Sequence, residues 1–330
     1  MAAQIERFLA GFRDYGELHR WSVERPEEFW AAVWRFCGVK AGRGWEGAVL
    51  RGGEWFPGVE LNYAETVLRP SDGAPAVVDA GRGRTWSHRE LYREVARMVK
   101  GFEAAGVKAG DRVAACLPGV AEGVVGFLAA AAMGAIWVPV EGDGGDAAAV
   151  RPRLLLATDV EGMERVRELT GVMPGLAQVL VVGLRERSPD LRGLPRALRW
   201  QDATAFYQGC LEVEIVRYPF GHPLLMEFAG GRAVAYPAGG VLLQFLKELV
   251  LHLDVSWRSR VRVSNAGSAA DWVRAVTALA TGAALELGER GMLPEAVLPA
   301  SERLPDPLSG GMVAALGVGA LCPSMPVDWR

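Results

Sequence analysis

At 330 residues, with 50% hydrophobic and 23% charged side chains, the chain can bury a sizeable core, which excludes disorder over most of its length. A formal net charge of -3 without any extended Lys/Arg block removes the electrostatic case for nucleic acid or an anionic membrane surface. Four scattered cysteines with no Cys-x-x-Cys pair, and only four histidines, leave a structural zinc site without support.

In chain order, the first 20 residues carry Glu6, Arg13, Asp14 and Glu17 and no long apolar run, so no secretory signal is read there. With free thiols, this predicts a cytoplasmic protein. Trp21, Phe29, Trp30, Val33, Trp34 and Phe36 fall largely at helical spacing, with Pro26 suited to a first helical turn. Trp55-Phe-Pro-Gly58 reads as a turn and Leu61 to Leu68 as a short helical piece. Five of the 11 tryptophans lie in this stretch, which predicts a helical cap over residues 1–68, packed on a larger body.

From Pro75 the pattern alternates strand and helix. Ala76 to Ala80 is a short strand. Ser87-His-Arg-Glu90 is a capping box, and the helix it opens carries Leu91, Val95, Met98, Val99 and Phe102 as an apolar stripe. Strand, helix and strand follow over Arg112 to Leu117, Ala121 to Gly134 and Ile136 to Val140. The uncharged run from Gly123 to Val140, about 18 residues, reaches the lower limit for a membrane span. Its Ala/Gly content and Pro139 instead predict a buried helix leading into a buried strand.

Leu154 to Ala157 and Val179 to Val182 read as strands around a charged helix near Gly162 to Leu169, and Arg185 to Arg199 as a surface excursion. Beyond it, Pro223 to Ala229 is a strand, Val241 to Leu253 a helix and Val261 to Ser264 a strand. Trp272 to Ala280 is helical, Ala284 to Leu287 extended, Met312 to Leu316 helical, and a last strand lies near Ala320. Repeated β-α-β units predict an α/β protein with a mostly parallel sheet flanked by helices.

No phosphate-loop, zincin or nucleophile-elbow motif is present. Asp143 and Asp146 could hold a cation or belong to a solvated loop. His222 could act as a base or order the entry to the next strand. His252 reads as a helix-end residue whose charged form would favour the C-terminal dipole, and Lys247 and Glu248 as solvent-facing. Ala229-Gly230-Gly231-Arg232 follows a strand. Its glycines would let backbone N–H groups approach a phosphate, with Arg232 supplying charge; a tight turn with an exposed arginine is the plainer reading.

Whole phrases point further. Trp21-Ser-Val-Glu-Arg-Pro-Glu-Glu-Phe-Trp30, Val33-Trp-Arg-Phe-Cys37, Trp55-Phe-Pro-Gly58 and Leu61-Asn-Tyr-Ala-Glu65 resemble the N-terminal cap of acetyl- and acetoacetyl-CoA synthetases. Gly106-Val-Lys-Ala-Gly-Asp-Arg-Val-Ala114, Met133-Gly-Ala-Ile-Trp137, Gly239-Gly-Val-Leu-Leu243 and Leu246-Lys-Glu-Leu-Val-Leu-His-Leu-Asp254 resemble the acetoacetyl branch of the acyl-adenylate-forming superfamily. The resemblance runs from about Asp14 to Leu287. It implies that residues 69–330 are an incomplete AMP-binding domain, with the C-terminal lid domain and its catalytic lysine absent, so that no catalytic residue carries over. ATP with magnesium, and CoA, are implied cofactors by resemblance alone.

The family's phosphate loop is Ser/Thr/Gly-rich and ends in Lys. Here the matching stretch is Phe228-Ala-Gly-Gly-Arg-Ala-Val-Ala-Tyr236, shorter and without Ser or Thr, which makes Gly230, Gly231 and Arg232 a vestigial loop. The family's Thr-rich segment after the next strand corresponds to Ser264-Asn-Ala-Gly-Ser-Ala-Ala-Asp-Trp272. The resemblance therefore implies a degenerate homologue without ligase activity of its own, acting as a binding or interaction module. The alternative is a ligase completed by a partner chain. An open sheet edge predicts self-association or a covering partner.

Overall fold

The computed structural model describes residues 7–8, 11–42, 49–117, 119–229, 231–263, 269–288 and 325–326. Two helices open it, α1 (Tyr15–Glu24) and α2 (Pro26–Cys37). The Asp14 carboxylate caps α1 by accepting from the Glu17 N–H at 2.8 Å, and Gly38, with φ 66°, ends α2 in the left-handed region. The aromatic spacing from Trp21 to Phe36 predicts one helical face. The structure divides it at Arg25, whose non-helical backbone precedes Pro26. Phe29, Trp30, Val33 and Trp34 are buried, and Trp34 lies 4.9 Å from the Phe56 ring and 6.4 Å from Phe220. These side chains share one continuous core with Leu128 and Leu242.

Asn62 caps α3 (Tyr63–Val67) by accepting from the N–H groups of Ala64 and Glu65. Its amide also donates to the carbonyls of Ala132, at 2.9 Å, and Val216, at 2.7 Å. The alternating elements follow: β1 (Pro75–Asp79), β2 (Arg84–Ser87), α4 (His88–Ala104), β3 (Arg112–Cys116), α5 (Ala121–Ala132), β4 (Ile136–Pro139), α6 (Gly145–Ala149), β5 (Leu154–Thr158), α7 (Met163–Val172), β6 (Gln178–Val182), β7 (Ala197–Arg199) and α8 (Trp200–Thr204). Then come β8 (Pro223–Ala229), β9 (Arg232–Pro237), α9 (Ala238–Leu246), a π turn over Lys247–His252, β10 (Arg260–Val263), α10 (Ala269–Thr277), β11 (Ala284–Leu287) and β12 (Met325–Pro326). The helix expected near Met312 and the strand near Ala320 lie outside the described residues.

The strands form two main sheets. The larger has the order β7-β6-β5-β3-β4-β8-β9-β12, parallel from β7 to β8 and closed by the antiparallel β8/β9 hairpin and the short β12. The smaller has the order β10-β11-β1-β2, parallel except for the β1/β2 pair. The α/β class with a mostly parallel sheet and flanking helices is what the strand–helix alternation predicts.

The capping box at Ser87 and Glu90 forms as read. α5 is buried along its whole length and leads into β4, which accounts for the uncharged run. Among the described residues no helix is long and apolar enough to cross a membrane. At the start of α5, Glu122 is 5% exposed, with both carboxylate oxygens 2.7 Å from the same Arg82 nitrogen. Arg82 also donates to the Gly183 carbonyl at 3.1 Å, so one guanidinium in the β1–β2 connection ties the smaller sheet to the body of the larger.

Two expectations are corrected around the π turn. Lys247 is not solvent-facing: it is 0% exposed, with Nζ 5.7 Å from the centre of the Trp30 ring and without a hydrogen-bond partner, and burial pulls its pKa down to about 8. The i→i+5 winding changes the angular step along the helix, so a charge beside Glu248 can still point under α2. Glu248 is itself partly buried, accepting from Gln244 at 2.7 Å and lying 3.6 Å from Arg274. His252 does end the helix, but burial and then Lys247 push its pKa down to about 4. It is neutral near pH 7 and brings no charge to the helix terminus.

Candidate functional site

Parallel strands deliver their C-terminal ends to one edge of the sheet, where an open α/β fold receives ligands. At that edge β3 ends at Cys116, β4 at Pro139 and β5 at Thr158. Facing them are Val263, at the end of β10, and Ala269 and Trp272 on α10. Between the two sheets lies a cleft of about 390 Å3, within the size range of small-molecule sites. Its walls are mainly apolar, with Leu117, Trp137, Val140, Val160 and Trp272 prominent.

The charged lining residues are Glu141, Glu161 and Arg165. Arg165 is committed to the protein itself: it lies 3.6 Å from Glu161 and 3.4 Å from Glu168, and it donates to the Gly142 carbonyl. Cys116 is half-buried, and burial, then the nearby Glu161, raise its thiol pKa while Arg165 opposes them. On β8, burial raises the Glu227 carboxyl against the opposing hydrogen bonds from Tyr236 and the Ala270 backbone, and Glu141 and Asp271 raise it further. Of these acids, Glu161 is paired with Arg165 and Asp271 with Arg274.

The residues singled out from sequence are distributed otherwise. Ala229 and Arg232 pair across the β8/β9 hairpin, so only two residues connect the strands. Gly231 has φ 73°, the left-handed conformation such a turn uses, and Arg232 is exposed. Gly230 lies outside the described residues. Neither Gly231 nor Arg232 is among the residues lining the cleft.

Asp143 accepts from the Gly145 N–H at 2.9 Å and so orders the start of α6, where Asp146 sits in the first turn. Among the described residues no group of three His, Cys, Asp or Glu could hold a metal ion. His222 Nε2 lies 2.8 Å from the Gly134 carbonyl and its ring stacks on Tyr218 at 4.6 Å, an ordering role at the entry to β8. Of the segment from Ser264 to Trp272, residues 264–268 lie outside the described part, while Ala269 and Trp272 form cleft wall. Motif reading missed Cys116, Trp137, Thr158, Glu161 and Arg165. Cys116 and Thr158 share one signal, position at the C-terminal ends of parallel strands, and Glu161 follows just after β5, whereas Trp137 lies inside β4 and Arg165 on α7.

Comparison with known proteins gives this geometry its relatives. Residues 64–155 match the family described as AMP-binding enzyme, and residues 15–67 match the acetyl-coenzyme A synthetase N-terminus. The acetoacetyl-CoA synthetase of Macaca fascicularis is 31% identical over 86% of this chain and 48% of its own length. That of Rhizobium meliloti (strain 1021) is 31% identical over 85% of this chain and 47% of its own. A solved acetoacetyl-CoA synthetase from Streptomyces lividans superposes with a TM-score of 0.74 at 30% identity, covering 87% of this chain and 49% of that one. The chain thus spans about half the length of the relatives it matches. In sequence and in fold, it is similar over most of its length to the N-terminal part of the acetoacetyl-CoA synthetases, within the adenylate-forming superfamily.

Proposed function

We propose that this chain has no carboxylate–CoA ligase activity of its own and acts as a small-molecule-binding or interaction module built on the adenylate-forming fold. One observation carries the reading: where a polyphosphate would need a lined cradle, β8 and β9 are joined by a two-residue turn. A cradle works by surrounding charge with backbone N–H groups, hydroxyls and a cation held in place beforehand. The stretch Phe228 to Tyr236 contains no Ser or Thr, and its single cation, Arg232, stands exposed. Arginine also differs from lysine in shape and reach, so it is no simple replacement. ATP with magnesium therefore does not fit the residues of this turn, and no adenylation step is assigned to them. Loss of one such contact costs a factor of about 100 to 1,000 in rate, and several are missing together.

A second reading, a short-chain acyl-CoA ligase completed by a partner chain, draws on the cleft, which keeps a half-open space at the C-terminal edge of the parallel strands. Acetoacetate- or acetate-dependent exchange of labelled pyrophosphate into ATP separates the two. The purified chain is expected to give none, alone or as the Arg232→Lys variant, since a lysine without a cradle restores nothing. Robust exchange by the isolated chain would end the first reading. Exchange that emerges only on adding a second chain would establish the other.

A further inference from the structure

We propose that the cleft between the two sheets binds a small uncharged ligand, a flat apolar ring bearing one hydrogen-bond acceptor such as a carbonyl, with the Thr158 hydroxyl as its donor. This deepens the binding-module reading and rests on it. The ring follows from the walls. Trp137 inside β4 and Trp272 on α10 supply aromatic surface, with Leu117, Val140 and Val160 beside them. A space of about 390 Å3 holds one fused ring with a short substituent. The acceptor follows from Thr158, which ends β5 and lines the cleft while only 8% exposed. Its hydroxyl oxygen accepts the Val160 N–H at 3.3 Å, and among the described residues no acceptor takes its own proton. A buried hydroxyl with an idle donor gains by meeting an acceptor. On the neighbouring strand, burial holds the Cys116 thiol above the usual thiol range, so it stays neutral near pH 7 and offers only a weak S–H.

The uncharged character follows from how the charges are spent. Arg165 lies 3.6 Å from Glu161 and 3.4 Å from Glu168, and it donates to the Gly142 carbonyl. The Glu227 carboxylate accepts from Tyr236 and the Ala270 N–H, and Asp271 pairs with Arg274. Glu141 is exposed, where water and salt screen it. A ring carrying either charge would lose hydration without meeting an opposite charge free to replace it. Cation and anion are therefore both disfavoured, by about tenfold or more.

Coumarin, naphthalene, coumarin-3-carboxylate and N-methylquinolinium share a two-ring body and differ in acceptor and charge. The half-buried Cys116 thiol lines the cleft and reports occupancy, through its rate of alkylation by iodoacetamide as mapped on the Cys116 peptide. Coumarin should protect best, and naphthalene should bind about three- to tenfold more weakly for want of the hydrogen bond. Both ions should fall about tenfold or more below coumarin. Thr158→Val should bring coumarin down to the level of naphthalene and leave naphthalene unchanged, while Thr158→Ser keeps the preference, with circular dichroism checking both folds. An ion that protects as well as coumarin overturns the proposal. So does protection by no probe, or a folded Thr158→Val protein that still prefers coumarin. If that variant does not fold, the ranking of the probes on the wild-type chain decides alone. Pyrophosphate exchange on the same preparation reports separately on the ligase question, so an active ligase and an unselective cleft give different signatures.

Discussion

Replacing Lys247 by methionine should stabilise the protein near neutral pH. The ammonium is fully buried without a hydrogen-bond partner, and its pKa falls from 10.5 to about 8. At about 1.4 kcal/mol per pH unit, that depression corresponds to roughly 3 kcal/mol of unfavourable burial while the lysine is protonated. The contact with the Trp30 ring, lost in the variant, offsets about 1–2 kcal/mol. The net gain expected for Lys247→Met is therefore about 1–2 kcal/mol at pH 7.

The pH dependence gives the sign. Between pH 8 and 10.5 the unfolded chain binds the proton that the folded chain has released, so wild-type stability gains from this residue as pH rises. Below pH 8 both states are protonated and the full penalty applies. The advantage of the variant should shrink as pH climbs through that window. Urea unfolding followed by tryptophan fluorescence at pH 7 and pH 10 measures both values. A variant less stable than wild type at pH 7, or an advantage that is the same at both pH values, would refute the reasoning.

Three further outcomes are expected. His252, whose pKa is lowered to about 4 by burial and Lys247, contributes stability that is present above pH 6.5 and is lost as pH falls towards 4, so His252→Phe should flatten urea midpoints over that window. Glu122→Gln leaves both Arg82 and Arg84 without their shared carboxylate at a site only 5% exposed on the acid side, and should cost about 2–3 kcal/mol in denaturant unfolding. Among the described residues β9 pairs on its outer side with β12 at two positions and with no other strand, so sedimentation equilibrium at micromolar concentration should show self-association; a monodisperse monomer would count against it.

The legible parts of the fold were those set by short-range pattern. Arg112–Cys116, Ile136–Pro139 and Leu154–Thr158 read as strands because both faces are buried and the residues are nearly all apolar. The smaller sheet was not legible as a separate layer, because it depends on Leu285 pairing with Val77, some two hundred residues away. β9 went unread as a strand. Its identity comes from the turn before it and from pairing with β8, while its residues Arg232 to Pro237 alternate only weakly. Lys247 misled for a related reason: adjacency to Glu248 suggests solvent, and only the π turn and a tryptophan from the far end of the sequence reverse that. The cleft was hidden because its walls are gathered from four separate strands, none of which carries a motif.

The stacking of Trp34 against Phe220 has a consequence for synthesis. The aromatic side of α2 is made early, yet its partners Phe220 and the helix Ala238–Leu246 follow nearly two hundred residues later. At about 5–20 residues per second, the nascent chain holds Phe29, Trp30 and Trp34 without their final cover for roughly 10–40 s. For that interval the segment is a target for whatever shields greasy surfaces at the ribosome, and slowing translation should lengthen its exposure to chaperones and proteases alike.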